Sequence, residues 1–432
     1  MDRIVLVFLL FVPTLCRTQD ALERVRFDGH KIVSVNPENE GQLALLKDWW
    51  QGDANMDFWE EPRRLGSRVM FMVSPERLEA IENALSDARL QIQVEHDNIQ
   101  QELDEMWKLL DLKATQLSSS FDYDDFNTYE EIMMELEALR DDCQPAGLDC
   151  EVYSIGKSYE GRDLKMLKIS NGDSKNRKAV WIDSTIHARE WLTPATLMKL
   201  INQLIRAYNT DSDAQDLVNS YVFYMLPVVN PDGYVYTRTN RYWRKNRRPQ
   251  NFGCAGVDLN RNFDFRWGTE GVSSNPCSDI FCGTEGGSEP ETQAVQNELQ
   301  RLGGGIVAMV TMHSYGNMWM FPWGTTVGHR GRNCDRASDH EDMKFVADRT
   351  ADAIQQTYGT RWKRGNSCEV IYETSGGTDD YAKGVAGVKY SFCPELRGRN
   401  FVVNKSEINK SFNEFYNGIK AMLVAIELRE PS

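Results

Sequence analysis

The chain lacks the features of several familiar protein classes. Its 432 residues include only six histidines, and no stretch approaches the roughly 20 consecutive apolar residues of a membrane-spanning helix. The absence of any Cys-x-x-Cys pair argues against a cysteine zinc knuckle. The absence of a Gly-x-Ser-x-Gly motif argues against a serine hydrolase elbow. A net charge of −15 argues against nucleic acid as a partner, because a phosphate backbone requires a basic face.

The N-terminal segment is typical of an exported protein. Residues 1–16, MDRIVLVFLLFVPTLC, place a basic residue before an apolar run and then small residues, which predicts a secretory signal peptide. Eight cysteines follow Cys16, an even number that in an exported chain indicates disulfide bonds. Cys143 and Cys150 are close enough in sequence to pair. We therefore expect a secreted, extracellular protein with no membrane partner.

The next region differs in composition from the rest of the chain. Residues 17–113 carry 12 basic and 20 acidic side chains, about half of the whole negative excess in under a quarter of the length. Residues 31–37 and 68–74 are strand-like, and 75–88 has apolar residues at helical spacing after Ser74. These patterns predict a small α+β module, and a helix-prone stretch, 97–113, follows it.

A polar connector separates this module from the remainder. No Lys or Arg occurs between Lys113 and Arg140, and the interval contains a serine run and several aspartates. A trypsin-like protease could therefore cut after Lys113 or Lys108 and at little else nearby. An ordinary interdomain linker would have the same composition, so the segment alone leaves both interpretations open.

Beyond residue 122 predicted strands and helices alternate, which is typical of a mixed, largely parallel central sheet with helices on both faces. The predicted strands are 179–184, 221–229, 306–313 and 385–392. The predicted helices are 192–208, 290–302, 341–357 and 406–428. In such α/β sheets, functional sites gather at the carboxyl ends of the strands.

Three chemically capable side chains stand at or just after such strand ends. They are His187, His313 and Glu395, and Glu190 follows His187 by three residues. A lone histidine of this kind is more often structural, but two histidines and one glutamate suit a catalytic zinc that keeps a fourth position for water. A further carboxylate must accept the proton of that water. Glu395 fits this role, because a buried glutamate needs a partner or a function.

The chain resembles the zinc metallocarboxypeptidases of the carboxypeptidase A/B family. The resemblance rests on His187-Ala-Arg-Glu190, on His313-Ser-Tyr315, and on further stretches that match in the same order. These stretches are 155–170, 227–237, 240–247, 256–263, 371–377 and 390–397. The similarity covers about 122–432, and residues 17–113 resemble the inhibitory prosegment of the family. His-x-x-Glu alone is a weak signal, whereas the ordered set is specific.

The resemblance implies roles for individual residues. His187, Glu190 and His313 would hold one Zn²⁺ per chain. Glu395 would be the general base and later the general acid, and Arg244 would stabilise the oxyanion, a role that suits a fixed charge beside a developing one.

Further residues would bind the peptide. Asn260 and Arg261 would hold its C-terminal carboxylate, and Tyr372 would close over it. An internal peptide bond would leave such a cation unpaired, so the site implies an exopeptidase. The resemblance also assigns substrate contacts more distant from the chain end to Arg189, Ser314 and Tyr315. Taken singly, each of these residues has an ordinary structural interpretation.

The specificity pocket is the least determined part of the resemblance. Asp379 occupies the position that is acidic in B-type enzymes, which select C-terminal Lys or Arg, and apolar in A-type enzymes. Ser367 matches a wall position that is bulky in the A-type. Two departures stand against this assignment: one extra residue separates Tyr372 from Glu395, and Cys393-Pro394 replaces the usual pair before the glutamate. A-type specificity and a non-catalytic peptide-binding relative are the alternatives.

Together these observations predict a signal peptide at 1–16, an inhibitory prosegment at 17–113, a connector at 114–121 and a zinc carboxypeptidase domain at 122–432. The expected partners are peptide and protein C-termini, an activating trypsin-like protease and the chain's own prosegment, and we expect a monomer. The resemblance suggests the disulfides Cys254–Cys277 and Cys334–Cys368. Cys282 and Cys393 are left without an assigned partner.

Overall fold

The computed structural model describes residues 23–53, 56–115, 121–172, 177–328 and 333–430; of residues 114 and 115 only the backbone is considered. The predicted signal peptide, 1–16, lies outside the described residues. So does most of the predicted connector, 114–121, whose first two residues belong to a helix.

The N-terminal unit is a four-stranded antiparallel sheet with three helices, which confirms the predicted α+β module. Its strands are β1 (Lys31–Val35), β2 (Asp57–Glu60), β3 (Val69–Val73) and β4 (Gln93–His96). Its helices are α1 (Glu40–Gly52), α2 (Pro75–Asp87) and α3 (Ile99–Thr115). The strand order is β2-β3-β1-β4, so β2 is an edge strand, and β3 is its pairing partner among the described strands. Pro75 begins α2, as expected for a residue that fits the first helical position.

The C-terminal unit is an eight-stranded mixed sheet covered by helices, which confirms the predicted fold class. The strands are β5 (Asp149–Lys157), β6 (Asp163–Ser170), β7 (Ala179–Ser184), β8 (Val222–Leu226), β9 (Ile306–Ser314), β10 (Met318–Phe321), β11 (Lys363–Asn366) and β12 (Tyr390–Leu396). The helices are α4 (Tyr129–Ala146), α5 (Leu192–Arg206), α6 (Ser212–Ser220), α7 (Pro231–Tyr236), α8 (Pro290–Leu302), α9 (His340–Tyr358), α10 (Ser367–Val370), α11 (Thr378–Gly384) and α12 (Ser406–Arg429).

The sheet order is β11-β10-β12-β9-β7-β8-β6-β5. The four neighbouring strands β12, β9, β7 and β8 run parallel to one another. Every residue of β7 is buried, as expected for a parallel strand that helices cover on both faces. The carboxyl ends of these strands therefore meet at one edge of the sheet.

One predicted strand is wrong in its position. The apolar run 385–392 is a turn at its start, and the strand β12 begins only at Tyr390 and continues to Leu396. Gly387 adopts a φ of +75°, a conformation that interrupts an extended strand. The shift matters because it places Glu395 inside the strand, where the β-sheet backbone fixes its direction.

The N-terminal unit packs against the carboxyl edge of the large sheet. Trp59 of β2 contacts the rings of Tyr242 and Phe401 at centroid distances of 5.1 and 5.3 Å. The backbone N–H of Val25 donates a 2.8 Å hydrogen bond to the carbonyl of Thr239. The small module thus lies over the edge at which we expect the functional site.

The predicted disulfides Cys143–Cys150, Cys254–Cys277 and Cys334–Cys368 are confirmed. Cys282 and Cys393 are free and buried. Among the described residues, no helix combines the length and the apolar character that crossing a bilayer requires.

Candidate metal centre and active site

Three neighbouring parallel strands bring the predicted site residues together. His187 follows the end of β7, His313 lies near the end of β9, and Glu395 lies near the end of β12. In the β9–β12 pairing His313 is directly opposite Glu395. The prediction that these groups share one rim therefore agrees with the geometry.

His187, Glu190 and His313 form a buried cluster of possible metal ligands. The Nδ1 atom of His187 lies 2.7 Å from Oε1 of Glu190 and 3.1 Å from Nδ1 of His313, which in turn lies 3.2 Å from Oε2 of Glu190. Ligand atoms bound tetrahedrally at about 2.1 Å from an ion lie about 3.4 Å apart. Two imidazoles and one carboxylate at these separations fit a zinc-sized cation after a small outward adjustment.

Asp258 orients the first of these ligands. Its Oδ1 accepts a hydrogen bond from Nε2 of His187 at 3.2 Å, which leaves Nδ1 as the lone-pair atom that faces the cluster. Its Oδ2 accepts from Nε and Nη2 of Arg244, at 3.1 and 2.8 Å. Burial alone would raise the pKa of Asp258, but Arg244 and His187 hold it well below its usual range. Asp258 therefore remains ionised and fixes both partners.

Sequence analysis did not single out Asp258, although the residue lies within the matching stretch 256–263. The available signal was an aspartate two residues before Asn260 within that stretch.

The third ligand is also held in place. Oε2 of Glu190 accepts a 3.1 Å hydrogen bond from the backbone N–H of Ser314. Burial would raise the pKa of Glu190, yet His187 and His313 lower it below its usual value. The side chain is therefore a carboxylate, the form that binds a cation.

Glu395 lines the same cleft as the cluster. Its Oε2 atom is buried and has no hydrogen-bond partner among the described residues. Burial, and then the neighbouring Glu190, raise the pKa of Glu395 to about 8. An orphaned buried carboxyl oxygen beside a candidate metal cluster is the arrangement that a proton acceptor for water requires.

The opposite side of the cleft is cationic. Arg261 donates hydrogen bonds from Nη2 to the hydroxyl of Tyr372 at 2.9 Å and from Nη1 to the carbonyl of Asn260 at 2.8 Å. Oδ1 of Asn260 accepts from the backbone N–H and the hydroxyl of Thr378. Neutral acceptors thus fix the guanidinium, and among the described residues no carboxylate forms an ion pair with it.

Asp379 lines the same cleft from the first turn of α11. The hydroxyl of Ser367 lies 3.4 Å from its Oδ2, and burial raises its pKa. Within the described part of the chain no lysine or arginine forms an ion pair with Asp379. The surrounding wall is apolar and sulfur-rich, and is formed by Met318, Met320, Ile371 and Cys393.

Arg189 and Tyr315, which the resemblance places further from the chain end of a substrate, lie beside the N-terminal unit. Nη1 of Arg189 donates a 2.7 Å hydrogen bond to Asp57 of β2, and its guanidinium lies 4.0 Å from the centre of the Phe401 ring. Tyr315 packs edge-on against the same ring at 5.0 Å. Asp57 therefore pairs with the guanidinium to which the resemblance assigns a peptide contact.

The N-terminal unit closes the cleft. Trp59, Glu61 and Arg63 line it together with the residues above, and the remaining cavity measures about 80 Å³. Such a volume holds a few water molecules. Trp50 of α1 contacts the ring of Tyr372 edge-on at 5.0 Å. None of these contacts is visible in the sequence, because each joins two units that are distant along the chain.

The His–Glu–His cluster could hold a metal ion, and beside it lies a glutamate whose Oε2 atom has no hydrogen-bond partner among the described residues. Such an arrangement at the carboxyl edge of an α/β sheet suits a metal-dependent hydrolase. The sequence model described as zinc carboxypeptidase matches residues 145–418, and the one described as carboxypeptidase activation peptide matches residues 33–106. The chain belongs to the zinc carboxypeptidase family and carries its activation peptide. The family implies a zinc cofactor, and the donor set described above fits one.

Relatives of both pocket types are similar to the chain. It is 34% identical to carboxypeptidase A2 of Rattus norvegicus over 92% of this chain and 94% of the relative. It is 36% identical to carboxypeptidase B of Astacus astacus over 70% of this chain and 97% of the relative. The crystal structure of carboxypeptidase A from Helicoverpa armigera superimposes with a TM-score of 0.84 at 30% identity, over 94% of this chain and 99% of that one.

Proposed function

We propose that the chain is the secreted zymogen of a zinc carboxypeptidase that releases C-terminal Lys or Arg. The observation that carries the substrate preference is the carboxylate of Asp379 in the same cleft as Arg261 and Glu395. A cleft that offers the guanidinium of Arg261 on one side and the carboxyl of Asp379 in its pocket suits a residue with a free carboxylate and a basic side chain.

His187, Glu190 and His313 would hold the zinc ion. When bound there, zinc polarises the substrate carbonyl and lowers the pKa of water towards about 7. Asp258 supports this role because its carboxylate accepts the N–H of Nε2 of His187, which leaves Nδ1 unprotonated towards the cluster.

Glu395 would take the proton from the attacking water and later deliver it to the leaving amine. The partner-free Oε2 atom and the raised pKa of about 8 support a group that carries a proton in one step and releases it in another. These values describe the protein without the ion; a cation in the cluster would favour the ionised carboxylate at rest.

Arg244 would stabilise the negative charge that develops on the carbonyl oxygen. Its bonds to Asp258 fix the guanidinium in the wall of the cleft before the substrate arrives. Asn260 and Arg261 would bind the C-terminal carboxylate, and Tyr372, already in contact with Arg261, would close over the bound end.

Arg189, Ser314 and Tyr315 would contact the peptide on the other side of the scissile bond. In the zymogen Arg189 is paired with Asp57, which supports inhibition by the prosegment through occupation of the same positions. The proposed division is a prosegment at 17–113, a connector at 114–121 and a catalytic domain at 122–432, with activation by a trypsin-like protease and a monomeric product.

A specific observation favours a second candidate. The wall formed by Met318, Met320, Ile371 and Cys393 is apolar, and a relative similar to the chain is named carboxypeptidase A2. A protonated Asp379 in such a pocket would tolerate an apolar C-terminal residue, which corresponds to A-type specificity.

One experiment separates the two candidates. The full chain is treated with trypsin and assayed on matched peptides that end in Arg, Lys, Phe or Leu, with and without a zinc chelator. We expect release of Arg and Lys, loss of this activity with the chelator, and recovery when zinc is restored. Release of Phe and Leu in preference to Arg would refute the basic specificity, and full activity without zinc would refute the mechanism.

A further inference from the structure

The loop between β2 and β3 of the prosegment contains two adjacent arginines. Residues 61–68 read EPRRLGSR, and Arg64, Leu65 and Gly66 are exposed, Leu65 to 41%. Exposed loop tips are preferred sites of proteolytic cleavage. This loop also places the side chains of Glu61 and Arg63 in the cleft.

The two arginines have opposite environments. The side chain of Arg63 is only 16% exposed, it lines the cleft, and its Nε atom is buried without a hydrogen-bond partner among the described residues. Arg64 points to solvent. A protease that recognises a basic side chain can therefore engage Arg64 while Arg63 is out of reach.

Hydrogen bonds at its tip hold the loop. The carbonyl of Arg64 accepts hydrogen bonds from the N–H and the hydroxyl of Ser67, at 3.1 and 2.7 Å, and the N–H of Arg64 donates to that hydroxyl at 3.2 Å. These bonds lie within the loop itself, whereas the 2.6 Å bond from the N–H of Gly66 to the carbonyl of Pro37 ties its tip to the segment after β1.

The preceding strand β2 has four residues, lies at the sheet edge and pairs with β3 through an irregular register. Asp57 and Trp59 anchor β2 itself to the C-terminal unit, so the opening that cleavage needs is confined to the loop 61–68, and such local opening requires far less free energy than unfolding the domain.

Arg89, Lys108 and Lys113 of the prosegment are worse protease substrates. Arg89 also lies in an exposed turn before a leucine, but Leu90 is only 6% exposed and belongs to the core of the module. Lys108 and Lys113 lie within α3, and Nζ of Lys113 donates a 2.9 Å hydrogen bond to Asn127. Cleavage at either lysine requires helical backbone to unwind.

We propose that the Arg64–Leu65 bond is a second processing site of the zymogen for trypsin-like proteases. Hydrolysis adds one water, leaves a carboxylate on Arg64 and an amine on Leu65, and breaks the link between β2 and β3. The freed segment 61–64 then withdraws Glu61 and Arg63 from the cleft. The cleavage depends only on the loop, whereas its effect on activity rests on the proposed carboxypeptidase function.

The cleavage is tested by limited digestion of the full chain with trypsin, followed by intact mass measurement and N-terminal sequencing over time. We expect an N-terminus at Leu65 that appears no later than any new N-terminus beyond Lys108. Arg64→Gln should abolish it, and the matched Arg89→Gln variant should leave it unchanged. Absence of the Leu65 terminus, or its appearance only after the connector is cut, overturns the proposal.

The effect on the cleft is tested in a Lys108→Gln, Lys113→Gln background, in which trypsin cannot cut the connector. Cleavage at Arg64 should raise hydrolysis of a small C-terminal Arg substrate several-fold over the uncut zymogen, and adding Arg64→Gln should remove this rise. If the cleaved zymogen has unchanged activity, the inference that cleavage withdraws Glu61 and Arg63 from the cleft is wrong. Fully activated wild-type chain is assayed in parallel: if it is inactive, the proposed function fails, while the mass measurement still decides the cleavage.

Discussion

The two ends of the cleft are built differently. At the metal end nearly every functional group is held by another: Asp258 fixes His187 and Arg244, and the Ser314 N–H fixes Glu190. At the pocket end the carboxyl of Asp379 is held by backbone N–H groups and a 3.4 Å contact with the Ser367 hydroxyl, and no lysine or arginine of the described residues pairs with it. Ionised side chains hold one another at the metal end, whereas the acidic group at the pocket end has no charged protein partner among the described residues.

This comparison predicts that changes at the metal end affect the rate for every substrate, and that changes at the pocket end affect the choice among substrates. The prosegment covers both ends, so changes in it should alter only the zymogen.

The largest effect is expected for Glu395→Gln in the activated enzyme. Loss of the general base should lower kcat by about 10²- to 10⁴-fold for Arg and Phe peptides alike, while zinc content measured by mass spectrometry remains at one per chain. Glu341→Gln, at an exposed position in the first turn of α9, is the control. A variant with undiminished turnover would eliminate Glu395 as the base.

Asp379→Asn tests the pocket end. A charge-assisted hydrogen bond contributes about 1.5–3 kcal/mol, so kcat/KM for C-terminal Arg should fall about 10- to 150-fold and that for Phe should change little. Because burial raises the pKa of Asp379, the wild-type preference for Arg should also weaken as the pH falls through that pKa and the carboxyl gains its proton.

The neighbouring Asp380 is the matched control for this variant. Its carboxylate accepts the N–H of Gly324 and holds backbone, so Asp380→Asn should lower thermal stability without changing the ratio of Arg to Phe hydrolysis. Equal loss for both substrates in Asp379→Asn would assign Asp379 a structural role.

Asp258→Asn tests how far the metal end depends on its supporting group. Loss of the charge that orients His187 should weaken zinc affinity about 10- to 100-fold, measured by competition with a chromophoric chelator. The exposed Asp264 provides the control Asp264→Asn. An unchanged zinc affinity would show that the ligands are fixed by their strands alone.

The difference between the two ends also explains what sequence can predict. His187, His313 and Glu395 follow or end apolar strands, and parallel packing brings such ends to one edge, so the cluster is predictable from pattern and resemblance. Asp258 supports the cluster from a loop with no periodicity.

The specificity pocket and the prosegment contacts that close the cleft depend on features with weaker sequence signals. The four-residue strands β10 and β11 are too short to show a period, and β10 supplies Met318 and Met320 to the pocket wall. The predicted strand 385–392 is misplaced relative to β12 because the apolar run includes the turn at Gly387. The contact between Trp50 and Tyr372 joins residues more than 300 positions apart, and local patterns carry no information about it.

The smallest effect is expected for Trp50→Leu in the zymogen. The Trp50 ring contacts Tyr372 edge-on, and such a pair contributes about 0.5–1.5 kcal/mol beyond its buried area. Leucine keeps an apolar side chain but loses the aromatic contact, so residual hydrolysis of a small substrate before trypsin treatment should rise about 2- to 10-fold. The activated enzyme, freed of the prosegment, should be unchanged.

The adjacent tryptophan makes this a controlled comparison. Trp49 lies on the same helix but contacts Phe71 within the prosegment itself, at 6.3 Å. Trp49→Leu should therefore lower the stability of the module without acting on Tyr372. If both variants raise zymogen activity equally, Trp50 acts through the folding of the prosegment; if only Trp50→Leu does, the prosegment restrains the pocket end through the Tyr372 ring.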